Sequence, residues 1–174
     1  MKNQIFLYFL LFFLDLLISL FVSVALIVSL LEYYIPIPIP NVRLGLSNVI
    51  IINAILIFGF KETFFISFLK AILLVIILGN PISFIYNFSA GFASIVVMYI
   101  VNKFCSKFLS LVGVSVLGSV SHIMVQILIS MILLNTKTLV NFIPFLGIIG
   151  IFTGILVGIL ANYMYKILRG NYVK

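Results

Sequence analysis

The sequence predicts an all-α integral membrane protein, a single domain over residues 1–174 with six transmembrane helices and both termini cytoplasmic. Three observations carry that expectation. Hydrophobic residues make up 65% of the chain and charged residues 7%, with a mean hydropathy of +1.44; no soluble domain hides that much apolar surface. Apolar runs approaching the ~20 residues needed to cross a bilayer recur along the chain, at 5–31, 44–59, 62–78, 84–101, 109–134 and 142–168. The basic residues gather in alternate connections. Lys2, Lys61, Lys103, Lys107, Lys166, Arg169 and Lys174 fall on one side, and only Arg43 and Lys137 on the other. Positive charge marks the cytoplasmic side of a membrane protein.

Composition also excludes several classes. The net charge is +7, but the basic residues are scattered, so nucleic-acid binding is not expected; cytoplasmic loops rich in Lys and Arg account for the excess. Cys105 is the only cysteine, which leaves no disulfide within the chain and no cysteine-cluster metal site.

The first span, 5–31, follows Lys2 in the manner of a secretory leader. Its apolar run is far longer than a leader's ~7–15-residue core, so it is expected to be retained. Ser19, Ser23, Ala25 and Ser29 form a small-residue edge, suited to docking an internal helix or a partner subunit. The connection Glu32-Tyr-Tyr-Ile-Pro-Ile-Pro-Ile-Pro-Asn-Val-Arg43 has prolines at 36, 38 and 40. They forbid a helix and favour extended backbone. The segment reads equally as a lid over a cavity and as a plain connector.

Arg43 opens the second span, 44–59. An arginine there can pair with a carboxylate or phosphate, or snorkel to lipid headgroups. Asn48, one turn on, can bond a ligand or an adjacent helix. Lys61 and Glu62 make an inner turn into the third span, 62–78. The second and third spans are short, implying little tilt or a thin local bilayer. Lys70 lies inside the third span and Asp15 inside the first. An unpaired charge at such depth costs at least ~2.5–3.5 kcal/mol on insertion scales. Their similar depth leads us to expect an ion pair between Asp15 and Lys70, structural in role because one pair makes no proton relay.

Gly79-Asn80-Pro81 is an outer turn, and the fourth span, 84–101, begins with Tyr86, Asn87, Ser89 and Gly91. Asn80 and Asn87 are expected near the depth of Arg43 and Asn48. The fifth span, 109–134, contains GVSVLGSVSHIMVQILIS with the only histidine. At roughly 100° per residue, Ser115, Ser119, His122 and Gln126 share a stripe about 60° wide. Such a stripe should face protein or a water-filled cavity, not lipid. It can line a small-molecule site, or His122 can be a satisfied structural group. Metal binding is not expected, with one histidine and three dispersed acidic residues. In the sixth span, 142–168, the spacing of Gly150, Gly154 and Gly158 gives a smooth face for close helix packing.

No carboxylates cluster to hold magnesium against a diphosphate. There is no Gly-rich loop ending in Lys-Ser or Lys-Thr, no catalytic set and no obvious pair of broken helices. An enzyme is not expected, nor any cofactor. Compact spans without motor or catalytic cluster suit a membrane subunit that captures a small molecule.

Arg43-Leu-Gly-Leu-Ser-Asn48, Gly59-Phe-Lys-Glu62, Ser89-Ala-Gly91 and the Gly113–His122 stretch with Gln126 resemble the bacterial membrane family labelled heptaprenyl diphosphate synthase component I, also called Gx transporter. The resemblance runs from about Glu32 to Leu168. It implies a bundle like the six-helix substrate-binding S components of energy-coupling factor (ECF) transporters. Those bind vitamins or similar small molecules near the outer face, and associate with a transmembrane coupling subunit and two ATPases in the bacterial cell membrane. This chain departs from the family pattern at Ile123, where Asn is expected, and at Lys70, where Arg is expected. The family label offers a second reading, an accessory membrane component of heptaprenyl diphosphate synthesis for menaquinone. A scaffold without ligand is the third. On the first reading the candidate substrate-binding residues are Arg43, Asn48, Asn80, Asn87, His122 and Gln126.

Overall fold

A computed structural model describes residues 2–37 and 42–168. The described residues form six α-helices: α1 (Lys2–Tyr33), α2 (Asn48–Ile57), α3 (Phe60–Leu78), α4 (Ile82–Cys105), α5 (Leu111–Leu133) and α6 (Ile143–Leu168), with a 3-10 turn (Thr138–Phe142) before α6. The stretches Leu11–Tyr33, Ile82–Cys105, Leu111–Leu133 and Thr138–Leu168 are long and apolar enough to cross a membrane. α3 has 19 residues but carries Lys61, Glu62 and Lys70. α2 has 10 residues, only about 15 Å of helix.

The second predicted span, 44–59, therefore differs from expectation. Its first residues stay outside the helix, with Gly45 at φ +83°, a left-handed conformation that side-chain-bearing residues rarely adopt. The helix itself, NVIIINAILI, is apolar all round apart from Asn48 and Asn53. A helix of that kind belongs inside protein. α2 indeed touches every other α-helix, and it buries Ile50, Ile51, Ile52, Ala54 and Ile55.

Around α2 the longer helices pack through small residues, the mode available where lipid is as apolar as the side chains. Gly150, Gly154 and Gly158 of α6 run along α5. A Cβ at Gly154 would lie 2.5 Å from Val116 Cα, and one at Gly158 2.5 Å from Val112 Cα. Ile123 is buried and faces Gly150. Gly118 of α5 lies against Met98 of α4, and Gly91 of α4 against Ser67 of α3. Five rings, Phe64, Phe68, Phe84, Phe88 and Phe92, interlock along the α3–α4 seam. The outer faces of α1 and α6 expose large apolar residues such as Phe12, Leu16, Leu20, Phe152 and Ile159. In water a surface like this would be an aggregation hazard; in a bilayer it is the lipid contact.

The expected Asp15–Lys70 ion pair does not form. Asp15 is exposed on α1 and lines an open α1–α3 groove of about 520 Å³ with Ser19, Ser23, Phe65 and Leu69. Ser19 and Ser23 are also exposed, their hydroxyls bonded to carbonyls one turn back on α1. Lys70 is 2% exposed; it donates to Ser47 Oγ at 3.0 Å and is drawn to Glu32. Similar depth along two helices does not fix azimuth, and the two side chains point to different faces. Pro38 and Pro40 of the proposed lid, the Lys2 side chain, Arg169 and Lys174 lie outside the described residues.

Candidate functional site

The end of the connector that leads into α2, residues 42–47, is not a surface loop. Val42, Arg43, Gly45 and Ser47 are all buried. Irregular backbone leaves N–H groups that must find partners away from water, and here side chains from other helices provide them. Glu32, at the end of α1, accepts the Leu46 N–H through Oε1 and also bonds the Gly45 backbone. The Arg43 N–H donates to Oε1 of Gln126 on α5 at 2.9 Å.

That bond orients the rest of the cluster. The Arg43 N–H can only donate, so Gln126 presents its oxygen there, which leaves its amide nitrogen facing His122 Nε2 at 3.2 Å. An amide nitrogen also only donates. Nε2 must accept, and the proton of the neutral imidazole therefore sits on Nδ1. Nδ1 is left with no more than a weak, poorly aligned bond to the Ala90 backbone.

Arg43 is 4% exposed. Its guanidinium reaches the Ser29 carbonyl at 3.4 Å and lies 5.7 Å from the centre of the Tyr33 ring. Burial pushes its pKa below the ordinary arginine value, and the Glu32 carboxylate draws it back up. Ser47 stands at the N-cap of α2 but makes no cap bond; its hydroxyl is taken by Lys70. Asn48 is buried with no partner for Nδ2 among the described residues, and Ser119 Oγ is in the same position. A Cβ on Gly45 would lie 3.0 Å from Asn48 Nδ2 and 3.3 Å from His122 Cδ2. A side chain at position 45 would crowd both the amide and the imidazole.

Of the residues singled out in the sequence, Arg43, Asn48, His122 and Gln126 come together. Asn87 is buried, but its Nδ2 donates to Ser83 O of its own helix at 2.6 Å. Asn80 is half-buried in the α3–α4 turn, and its Oδ1 accepts the Ile82 N–H at 3.1 Å to start α4. Neither of these bonds joins its asparagine to the Arg43 cluster. Nearby Tyr86 is buried in the same apolar cluster as Val42. Glu32, Ser47 and Ser29 were not foreseen as site residues. Glu32 had a signal: it is one of only three acidic residues, placed where an apolar run ends.

The helices define a multi-pass membrane protein of the S-component fold. A solved structure described as "Structure and mechanism of the S component of a bacterial ECF transporter" superposes with a TM-score of 0.70 at 21% identity, over 90% of this chain and 95% of that one. The chain belongs to the family of heptaprenyl diphosphate synthase component I, whose model matches residues 21–164. No curated protein matches it significantly.

Proposed function

We propose that this chain is the substrate-binding subunit of a small-molecule uptake transporter, S-component-like in role as well as in fold. One observation carries the reading. Arg43, Asn48, His122 and Gln126 are buried together beside a non-helical connector, within a bundle whose outer faces are apolar. Polar groups inside a membrane protein default to function, and Asn48 Nδ2, with Ser119 Oγ on the same α5 stripe as His122, lacks a partner among the described residues. On this reading all six helices cross or enter the bilayer of a bacterial cell, with both termini cytoplasmic. The chain has no phosphate-binding loop of its own, so transport would require a transmembrane coupling subunit and ATPases. Native mass spectrometry of the full chain in mild detergent tests this. The expected result is a retained small molecule, absent from Gln126→Leu protein. A wild-type protein that holds nothing, and whose melting temperature no vitamin-type compound raises, sinks the proposal, because a bound ligand must stabilise the folded state.

The family's name favours a second reading, an accessory component of heptaprenyl diphosphate synthesis. Asp15 is exposed on α1, Glu32 is bonded to connector backbone, and Glu62 lies in the first turn of α3. Three carboxylates so placed make no magnesium-diphosphate centre, so the role would be non-catalytic. Copurification with a soluble synthase, together with altered product length when this chain is missing, would favour it.

A further inference from the structure

The charge buried around the connector does not sum to zero. Arg43 and Lys70 are 4% and 2% exposed, and the one carboxylate among them, Glu32, is 3% exposed. Glu32 acts on both cations, yet its hydrogen bonds go to the Leu46 and Gly45 backbone. Asp15 and Glu62 are not among the groups acting on Arg43 or Lys70. Two cations therefore face one carboxylate, in surroundings where an uncompensated charge is costly.

The neutral groups alongside are donors too. His122 lies within electrostatic range of both Lys70 and Arg43, and its Nδ1, held only weakly by the Ala90 backbone, carries the ring proton, because Nε2 accepts from Gln126. Asn48 Nδ2 is a donor without a partner among the described residues, and both it and the ring lie against Gly45. Among the described residues, the guanidinium makes a single long hydrogen bond to protein, to Ser29 O. Its planar fork suits a second, bidentate partner.

Resting on the transporter-subunit reading, we propose that the ligand carries an anionic headgroup, a carboxylate or a phosphate, seated between Arg43 and Lys70 with Asn48 and His122 as its neutral donors. A cationic ligand would meet two like charges, and a ligand rich in donors would find the Glu32 acceptors already engaged.

The test is thermal unfolding of the full chain in mild detergent, with sodium phosphate, sodium acetate, sodium chloride or neutral acetamide, the salts at matched ionic strength. Phosphate or acetate should raise the melting temperature in proportion to the logarithm of its concentration, while chloride and acetamide do not. Whichever of the two active salts acts at lower concentration identifies the headgroup. Lys70→Met removes the excess cation. It should melt no lower than wild type in chloride yet lose the response to anions, whereas Lys70→Arg keeps it. A merely structural lysine predicts the reverse for Lys70→Met, a lower melting temperature and an unchanged response. Native mass spectra of the same preparation separate two failures. A retained neutral or cationic molecule overturns the anion assignment and leaves the subunit reading standing. No retained molecule and no shift with any probe overturns both.

Discussion

The backbone N–H of Arg43 donates to Oε1 of Gln126 at 2.9 Å, tying an irregular connector to a helix 83 residues further along the chain. Gln126 also faces His122 Nε2, so one side chain satisfies a buried donor and a buried acceptor. Gln126→Leu strands both at once. Leaving a buried polar group unsatisfied costs about 1–3 kcal/mol, and the melting temperature in detergent should fall accordingly. An unchanged melting temperature would mean that the connector is not held by this bond.

Close approach of α5 and α6 gives a second expectation. At Gly154 a methyl group would lie 2.5 Å from Val116 Cα and 3.1 Å from Val116 N, backbone atoms that cannot rotate away. Gly154→Ala should destabilise by about 1–3 kcal/mol, the usual range for overpacking. Gly147 is the control on the same helix. Its nearest neighbour would be Met124 Cε at 3.5 Å, an ordinary contact with the end of a flexible side chain. Gly147→Ala should melt like wild type, and equal losses at both positions would refute the packing account.

Glu32 holds the connector and balances part of the buried cation charge. Glu32→Gln keeps the shape but removes the charge that strengthens its bonds to the Leu46 and Gly45 N–H groups. Hydrogen bonds to charged groups contribute about 1.5–3 kcal/mol, and a loss of that order is expected in equilibrium unfolding. Lys70 interacts with Glu32, so the two changes should not add. The double variant Glu32→Gln/Lys70→Met should be more stable than Glu32→Gln alone. A double variant that is worse than the single one would mean the two groups do not share one charge balance.

Asp15 shows where reading the sequence stopped short. The polar stripe of α5 was legible because a helix repeats every ~3.6 residues, and Ser115, Ser119, His122 and Gln126 are all buried as that period requires. The glycine spacing of α6 was legible for the same reason. The partner of Lys70 was not legible, since depth along a span carries no information on which way two separate helices face. The real neighbours, Ser47 and Glu32, are reached through a connector whose path depends on tertiary bonds to Glu32 and Gln126. An apolar stretch from Leu44 to Gly59 reads as one span unless Gly45 is known to sit at positive φ. Asp15→Asn measures the difference directly. Asp15 lies exposed within a stretch apolar enough to cross the membrane, where a charge is unfavourable, so Asp15→Asn should melt no lower than wild type. A large loss would restore the ion pair that the geometry denies.

Orientation in the bilayer can be read from two exposed connections. Lys107, between α4 and α5, and Lys137, between α5 and α6, are both exposed, and α5 separates them with 23 residues of helix, about 35 Å and enough to span the hydrocarbon. If α5 crosses the membrane, the two positions lie on opposite sides. The bias of Lys and Arg toward cytoplasmic loops puts Lys107 inside, next to Lys103 and Lys61 in the proposed topology. Cys105 is the chain's only cysteine, so Cys105→Ala gives a clean background for Lys107→Cys and Lys137→Cys. In intact cells a membrane-impermeant maleimide should label the cysteine at 137 and not the one at 107, and permeabilisation should expose both. Labelling of 107 alone would invert the topology and place the Arg43 cluster toward the cytoplasm, where an uptake subunit could not meet its ligand first.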